Sequence, residues 1–103
     1  MKRIIITLAL LLGLNLSAQE QKAYQLEKGI VKIEQFYATG EIQQISFYLE
    51  GQAFGTWLKY DQQGNLISKA KIENGRPVKL FRYKDGITTI IDRKKNSVTQ
   101  IKP

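Results

Sequence analysis

The chain has 103 residues and a formal net charge of +7, and it contains neither histidine nor cysteine. The absence of both residue types excludes disulfides, cysteine-based metal sites and every histidine-dependent acid–base or nucleophilic reaction. The positive charge favours anionic partners, with plain solubility as the alternative explanation.

The first segment is typical of a secretory signal peptide. Lys2 and Arg3 precede the uncharged apolar run IIITLALLLGL, residues 4–14, and small Ala18 stands where a signal peptidase cuts. A spanning helix needs about 18–20 apolar residues, so an uncleaved anchor is the weaker alternative. We expect residues 1–18 to be a signal peptide, with no transmembrane segment after its cleavage. The product is then periplasmic or secreted, and nucleic acid is not an expected partner.

After the signal peptide, residues 19–28 are expected to form a polar lead-in and residues 29–103 a repeat domain. Three segments align, each beginning at a glycine and ending on a tyrosine: GIVKIEQFY, GQAFGTWLKY and GRPVKLFRY. A turn signal and an apolar-rich run follow each of them, at residues 42–49, 66–72 and 87–92. Glycines recur with a period of 22–24 residues, and the turn glycines are Gly40, Gly51, Gly64, Gly75 and Gly86. This spacing indicates tandem hairpins.

The segments favour strands over helices because they are short, glycine-bounded and rich in β-branched and aromatic residues. Asn74-Gly75 and Asp85-Gly86 are typical hairpin turns. The alternation in VKLFRY, residues 78–83, places Lys79, Phe81 and Tyr83 on one face and the intervening residues on the other. The sequence therefore predicts an all-β fold, an elongated antiparallel meander of hairpins, with a last short strand at 98–101.

Aromatic residues and a glycine stand together in the second segment. An undistorted strand puts Phe54 and Trp57 on opposite faces, and Gly55 between them indicates a bulge or a close approach of a neighbour. We expect the aromatic residues of successive hairpins to form a ladder along one sheet face.

One family has a similar pattern. Tyr37-x-x-Gly40, followed by Gly55-x-Trp57-x-x-Tyr60-Asp61-x-x-Gly64-x-Leu66, resembles the MORN repeat in its bacterial variant form. The match is good over residues 37–66 and weaker in the next unit, where Lys79 replaces a glycine and Phe81 the tryptophan. The resemblance implies one hairpin per repeat and a role in binding or scaffolding, without chemistry.

Similar bacterial repeat proteins often have an antitoxin label, which fits an exported chain poorly. Some short exported relatives carry the name nicotinic acid mononucleotide adenylyltransferase. That activity depends on a His-x-Gly-His motif, and this chain has no histidine. The label is therefore unsupported.

Candidate catalytic groups are scarce. Ser46, Ser68 and Ser97 have no histidine to activate them, and the nine carboxylates are dispersed along the chain. The segment DQQGN, residues 61–65, lacks the acidic ligands of a calcium loop, and turn chemistry explains it. We expect no catalytic, cofactor-binding or metal site and no enzyme, although a carboxylate pair meeting across strands is the open alternative.

These observations predict a protein-interaction or structural module of the cell envelope. The candidate interaction face comprises Trp57, Tyr60, Phe81 and Tyr83. Its expected partner is another envelope protein or a second copy of the chain, with an anionic glycan as a further candidate. The second hypothesis is an inhibitor or antitoxin-like binder of another protein.

Overall fold

A computed structural model describes residues 3–7, by their backbone, and residues 20–103. These ranges contain ten strands and no helix. The strands are β1 (Arg3–Thr7), β2 (Glu20–Glu27), β3 (Ile30–Phe36), β4 (Ile42–Leu49), β5 (Gln52–Ala53), β6 (Gly55–Tyr60), β7 (Leu66–Glu73), β8 (Arg76–Lys84), β9 (Ile87–Asp92) and β10 (Ser97–Ile101). The predicted signal peptide, residues 1–18, lies outside the described residues except for β1.

All strands belong to one antiparallel sheet in which neighbours along the chain are neighbours in space. The order is β1-β2-β3-β4-β6-β7-β8-β9-β10, and the two-residue β5 pairs with β4 beside β6. From β2 onward, the strands follow one another as a series of hairpins, and the predicted all-β antiparallel meander is confirmed. The apolar-rich runs at 42–49 and 87–92 coincide with β4 and β9.

The turns follow the chemistry of their residues. Asn74 and Asp85 have φ values of 52° and 53°, and the glycine after each is also positive, at 78° and 77°. Two successive positive φ angles are the mirror-image turn that matches strand twist. Positive φ is also found at the other predicted turn glycines, Gly40, Gly51 and Gly64.

The 24-residue repeat is visible in the backbone hydrogen bonds. The amide of Tyr37 donates to the carbonyl of Glu41 at 2.9 Å, and the amide of Gly40 donates to the carbonyl of Tyr37 at 2.9 Å. One unit later, the amide of Asp61 donates to Asn65 at 2.9 Å, and that of Gly64 to Asp61 at 3.0 Å. Tyr37 is thus equivalent to Asp61, whereas alignment on the tyrosines pairs it with Tyr60. In the structure the Tyr37 hydroxyl donates to the Tyr60 carbonyl at 2.7 Å.

The expected polar lead-in differs from the structure, because residues 20–27 form β2. Its Ala23 pairs with Ile33 of β3, and Lys22 pairs with Glu34. A register shift between Gln25 and Glu27 interrupts the alternation of its side chains. The shift and the polar composition conceal the strand in the sequence, and the sheet begins before residue 29.

The sheet forms a single layer. In the described part of the chain no side chain is fully buried, and only Ala23, Ser46 and Ile72 are less than 9% exposed. All three lie on the same face by strand alternation. The molecule measures 38 × 32 × 25 Å, and the smallest dimension is consistent with the twist of a wide sheet. We name the face that carries Ala23, Ser46 and Ile72 the inner face, and the opposite one the outer face.

Candidate functional site

Small and large side chains alternate across the inner face. One row runs from strand to strand through Ala23, Ile33, Ser46, Trp57, Ala70, Leu80, Ile91 and Val98. The second strand of each hairpin contributes the small residue and the first strand of the next hairpin contributes the large one, up to Leu80. Because large residues stand beside small ones, the row has depressions between ridges.

One of these depressions is a hollow of about 120 Å³ beside Trp57. Its lining residues are Gln44, Trp57, Leu58, Lys59, Ser68 and Ala70. The Trp57 ring is held in place, since its Nε1–H lies 3.2 Å from the carbonyls of Phe47 and Phe54. Its ring centroid is also 5.5 Å from that of Tyr48. Trp57 is therefore a fixed wall of the hollow.

A polar row runs beside the apolar one on the inner face. Its members are Gln21, Gln35, Gln44, Lys59, Ser68, Arg82, Thr89 and Gln100. Ser68 is flanked by the exposed cations Lys59 and Arg82, and Lys84 follows on the same face of β8. None of the inner-face positions of β3 to β10 carries a carboxylate. Within residues 20–103, no carboxylate oxygen lies within 4.0 Å of the nitrogens of these three cations.

Lysine and aromatic side chains mix on the outer face. Lys22 lies 5.1 Å from the ring centroid of Phe36, Lys32 lies 5.4 Å from that of Tyr24, and Lys69 lies 4.8 Å from that of Phe81. Ion pairs join Lys32 to Glu34 at 3.3 Å and Lys79 to Asp92 at 4.0 Å. The amines of these four lysines therefore already have partners within the protein.

The sheet separates the four residues of the predicted interaction face. Trp57 pairs with Ala70 on the inner face, whereas Phe81 pairs with Lys69 on the outer face. Strand alternation places Tyr60 and Tyr83 on the outer face as well. The parity was present in the sequence, because Trp57 precedes its tyrosine by three residues and Phe81 precedes its tyrosine by two.

The expected aromatic ladder is also divided between the faces. Two aromatic ring pairs occur among residues 20–103. Tyr48 and Trp57 form one on the inner face, and Phe47 and Phe54 meet edge to face at 6.4 Å on the outer face. Gly55, with φ of 80°, turns the chain between Phe54 and Trp57, in a backbone conformation that favours glycine.

The last strand leaves an apolar edge open. Val98 is 67% exposed and Ile101 54% exposed, and the five residues of β10 carry no charge. Basic residues stand at both ends of this strand: Lys94 and Lys95 before it, and Lys102 after it. Lys94 pairs with Glu73 at 2.7 Å, and this hydrogen bond raises the pKa of the Lys94 amine.

The two carboxylates whose pKa values are lowered, Asp61 and Asp92, accept hydrogen bonds from backbone amides in turns. Asp61 accepts hydrogen bonds from the amides of Gln63 and Asn65, each at 2.9 Å, and Asp92 accepts from those of Lys94 and Lys95. The backbone hydrogen bond from Asn65 is the main cause that lowers the pKa of Asp61. The backbone hydrogen bond from Lys95 is the main cause that lowers the pKa of Asp92. The described residues contain no group of three acidic side chains that could hold a metal ion.

The cations and amides of the polar row escape a motif search because they become neighbours only through strand register. A local signal exists: Lys59 and Arg82 each directly precede a tyrosine, Tyr60 and Tyr83. Chemically, the inner face can donate hydrogen bonds and positive charge to a ligand. No helix long and apolar enough to cross a membrane occurs in residues 3–7 and 20–103.

No protein-family model matches the chain, and no curated protein or solved structure matches it. The similarity to MORN-variant repeats is therefore still a prediction from the residues.

Proposed function

We propose that this protein is a non-catalytic interaction module of the cell envelope that binds an extended segment of a partner protein along β10. The observation that carries the proposal is the open apolar edge, where Val98 is 67% and Ile101 54% exposed. A sheet edge presents unpaired N–H and C=O groups, and an extended peptide adds to it as a further strand.

The rest of the sheet explains why such an addition stabilises the protein. No side chain in the described residues is fully buried, because the sheet has no second layer. A small domain with so little buried area has modest stability of its own. A strand beside β10 covers Val98 on the inner face and Ile101 on the outer face, and it completes the backbone hydrogen bonds of that edge.

The positive charges at both ends of β10 indicate which kind of partner strand can pair with it. An antiparallel pair of β10 strands from two copies brings Lys102 of one copy close to Lys95 of the other, at both ends of the contact. Like charges on directly opposed positions are destabilising. A partner strand with acidic residues on both sides of an uncharged centre, in which apolar residues alternate, places its carboxylates opposite these lysines. The partner segment we propose is therefore extended, apolar in its centre and acidic at both ends.

A photo-cross-linking residue at Val98 in the full chain, expressed in its host, tests the proposal. The expected result is one defined adduct whose cross-linked segment has this pattern. A synthetic acidic-ended peptide should compete with the adduct, whereas the same peptide with lysine ends or with a fully N-methylated backbone should not. The matched control places the cross-linker at Gln63, in an exposed turn distant from the edge.

Three results contradict the proposal: no adduct at Val98, equal adducts at Val98 and Gln63, or an adduct with the mass of two copies of the chain. The last result identifies self-association instead.

The proposal has two further parts, which concern the location of the protein and its family. We propose export to the periplasm or the medium, supported by the signal-peptide pattern of residues 1–18. We also propose membership of the MORN-variant family, supported by the residue pattern at 37–66 and by turn hydrogen bonds that recur after 24 residues. Radiolabelled precursor processed by envelope membranes, with Ala18→Pro as the uncleavable control, tests the export.

A further inference from the structure

The inner face has a cationic cradle that is separate from the β10 edge. Lys59 of β6 and Arg82 of β8 stand on either side of Ser68 of β7, in direct register. Adjacent strands lie about 4.8 Å apart, so the backbones of the two cations are roughly 10 Å apart across the serine. Both side chains are exposed, and the Ser68 hydroxyl lies between them as a hydrogen-bond donor.

Within the described part of the protein, these cations differ from Lys22, Lys32, Lys69 and Lys79 of the outer face. Those four lysines contact aromatic rings or carboxylates. Lys59 and Arg82 contact neither, and the inner-face positions of β3 to β10 carry no carboxylate. An anionic ligand between the two cations is attracted by both charges and is repelled by no carboxylate on this part of the inner face.

The surroundings of the cradle fit a sugar better than a bare ion. The hollow of about 120 Å³ next to it has the Trp57 ring as a fixed wall and Ala70 among its lining residues. Beyond Arg82 the row continues with Thr89 and Gln100, whose side chains lie 3.5 Å apart and whose hydroxyl and amide groups can donate to and accept from neutral hydroxyls. A binding site with an apolar wall and a few oriented polar groups suits a small polar ligand.

We infer that the inner face binds an acidic glycan, with a phosphate or carboxylate group held by Lys59, Ser68 and Arg82 and a neighbouring sugar ring against Trp57. The inference does not depend on the partner proposed for β10, because Lys59, Ser68, Arg82 and Trp57, which hold the anionic group and the sugar ring, all lie on other strands.

The lone tryptophan reports on this site directly, since the chain has one Trp. The experiment titrates the full chain with oligogalacturonate, a carboxylate glycan, and with phosphomannan fragments, a phosphate glycan, and follows Trp57 fluorescence. We expect a saturable change with at least one of them, and the stronger of the two identifies the anionic group. Neutral dextran fragments and polyglutamate should give neither saturation nor comparable affinity.

Matched variants separate the cradle from overall charge. Arg82→Gln and Lys59→Gln should each weaken binding about tenfold, because each removes a charge-assisted hydrogen bond. Lys71→Gln, an equal loss of charge at an exposed outer-face position, should change the affinity less than twofold. Far-UV circular dichroism of all three variants should match that of the unchanged chain.

Several outcomes overturn the inference. Equal losses in the cradle variants and in Lys71→Gln indicate attraction by net charge alone. Polyglutamate binding as tightly as the glycans removes the role of the sugar. Phosphatidylglycerol vesicles competing for the Trp57 signal indicate a lipid surface, and no binding of either glycan at millimolar concentration excludes the site.

Discussion

The bond between Tyr37 and Tyr60 gives a sharp test of how one repeat supports the next. The Tyr37 hydroxyl donates to the Tyr60 carbonyl at 2.7 Å in a partly buried contact between residues 23 positions apart. The ladder between β6 and β7 is irregular at this point, with a register shift between Lys59 and Tyr60. The phenol therefore supplies a donor where strand pairing is interrupted. Tyr37→Phe removes this donor and leaves the ring.

The expected loss is about 0.5–1.5 kcal/mol, the net value of one intramolecular hydrogen bond. The larger cost of a fully buried, unpaired carbonyl does not apply, because water reaches this partly buried site. For a domain of this size, 1 kcal/mol lowers Tm by about 4–8 °C.

Urea unfolding and thermal melting, both followed by circular dichroism at strand wavelengths, measure the change. The control is Tyr83→Phe, because within residues 20–103 the Tyr83 hydroxyl has no recorded hydrogen bond. A Tyr37→Phe variant as stable as the unchanged chain, or no less stable than Tyr83→Phe, refutes the reasoning that this bond couples two repeats.

Three further changes test the inner row, a turn and a capped carboxylate. Ser46→Leu should cost about 1–3 kcal/mol in urea unfolding, because overpacking displaces the ridge residues beside a position that is 2% exposed. Gly75→Ala should cost about 1–2 kcal/mol, since a side chain at φ of 78° is strained and its Cβ lies 3.1 Å from Gln52 Nε2. Backbone hydrogen bonds, first from Asn65, hold the pKa of Asp61 below its unfolded value. Its contribution is therefore complete above the unfolded pKa of about 3.9 and is lost as pH falls through the folded pKa. Asp61→Asn should flatten the acid limb of stability against pH.

The serine and glycine variants have matched controls elsewhere in the chain. Ser97→Leu, at an exposed position, should have less effect than Ser46→Leu. Gly51→Ala shares the positive φ but has open space around its Cβ, so the difference from Gly75→Ala isolates the contact with Gln52. An acid limb of Asp61→Asn that matches that of the unchanged chain contradicts the role given to Asp61.

Strands were predicted correctly from the sequence where neighbouring turn residues determine where the strand begins and ends. β4 and β9 were bounded by strong turn residues, and their limits were found from glycine spacing and composition. β2 was missed because a register shift between Gln25 and Glu27 masks its alternation. Lys28-Gly29 after it is also a weaker turn signal than Asn-Gly or Asp-Gly.

The sheet face on which each aromatic residue lies could not be predicted from any single segment of the sequence. Alternation relates residues within one strand, whereas Trp57 and Phe81 lie on different strands, related through β7. Counting back from Tyr60 and Tyr83 separates the two faces, since the two aromatic residues stand at odd and even distances. The grouping of Lys59, Ser68 and Arg82 likewise follows from pairing across three strands, which the sequence does not specify locally.

The recurrence of the inner row has a consequence for chain length. Ala23, Ser46 and Ala70 occupy equivalent places one repeat apart, and each repeat contacts mainly its neighbours. Copying residues 43–66, one 24-residue unit, after residue 66 adds two strands, widens the sheet by roughly 10 Å and makes one new strand pair where the copy joins β6. The number of repeats is thus a variable that insertion or deletion of whole units can change, and the rows of the inner face lengthen in proportion.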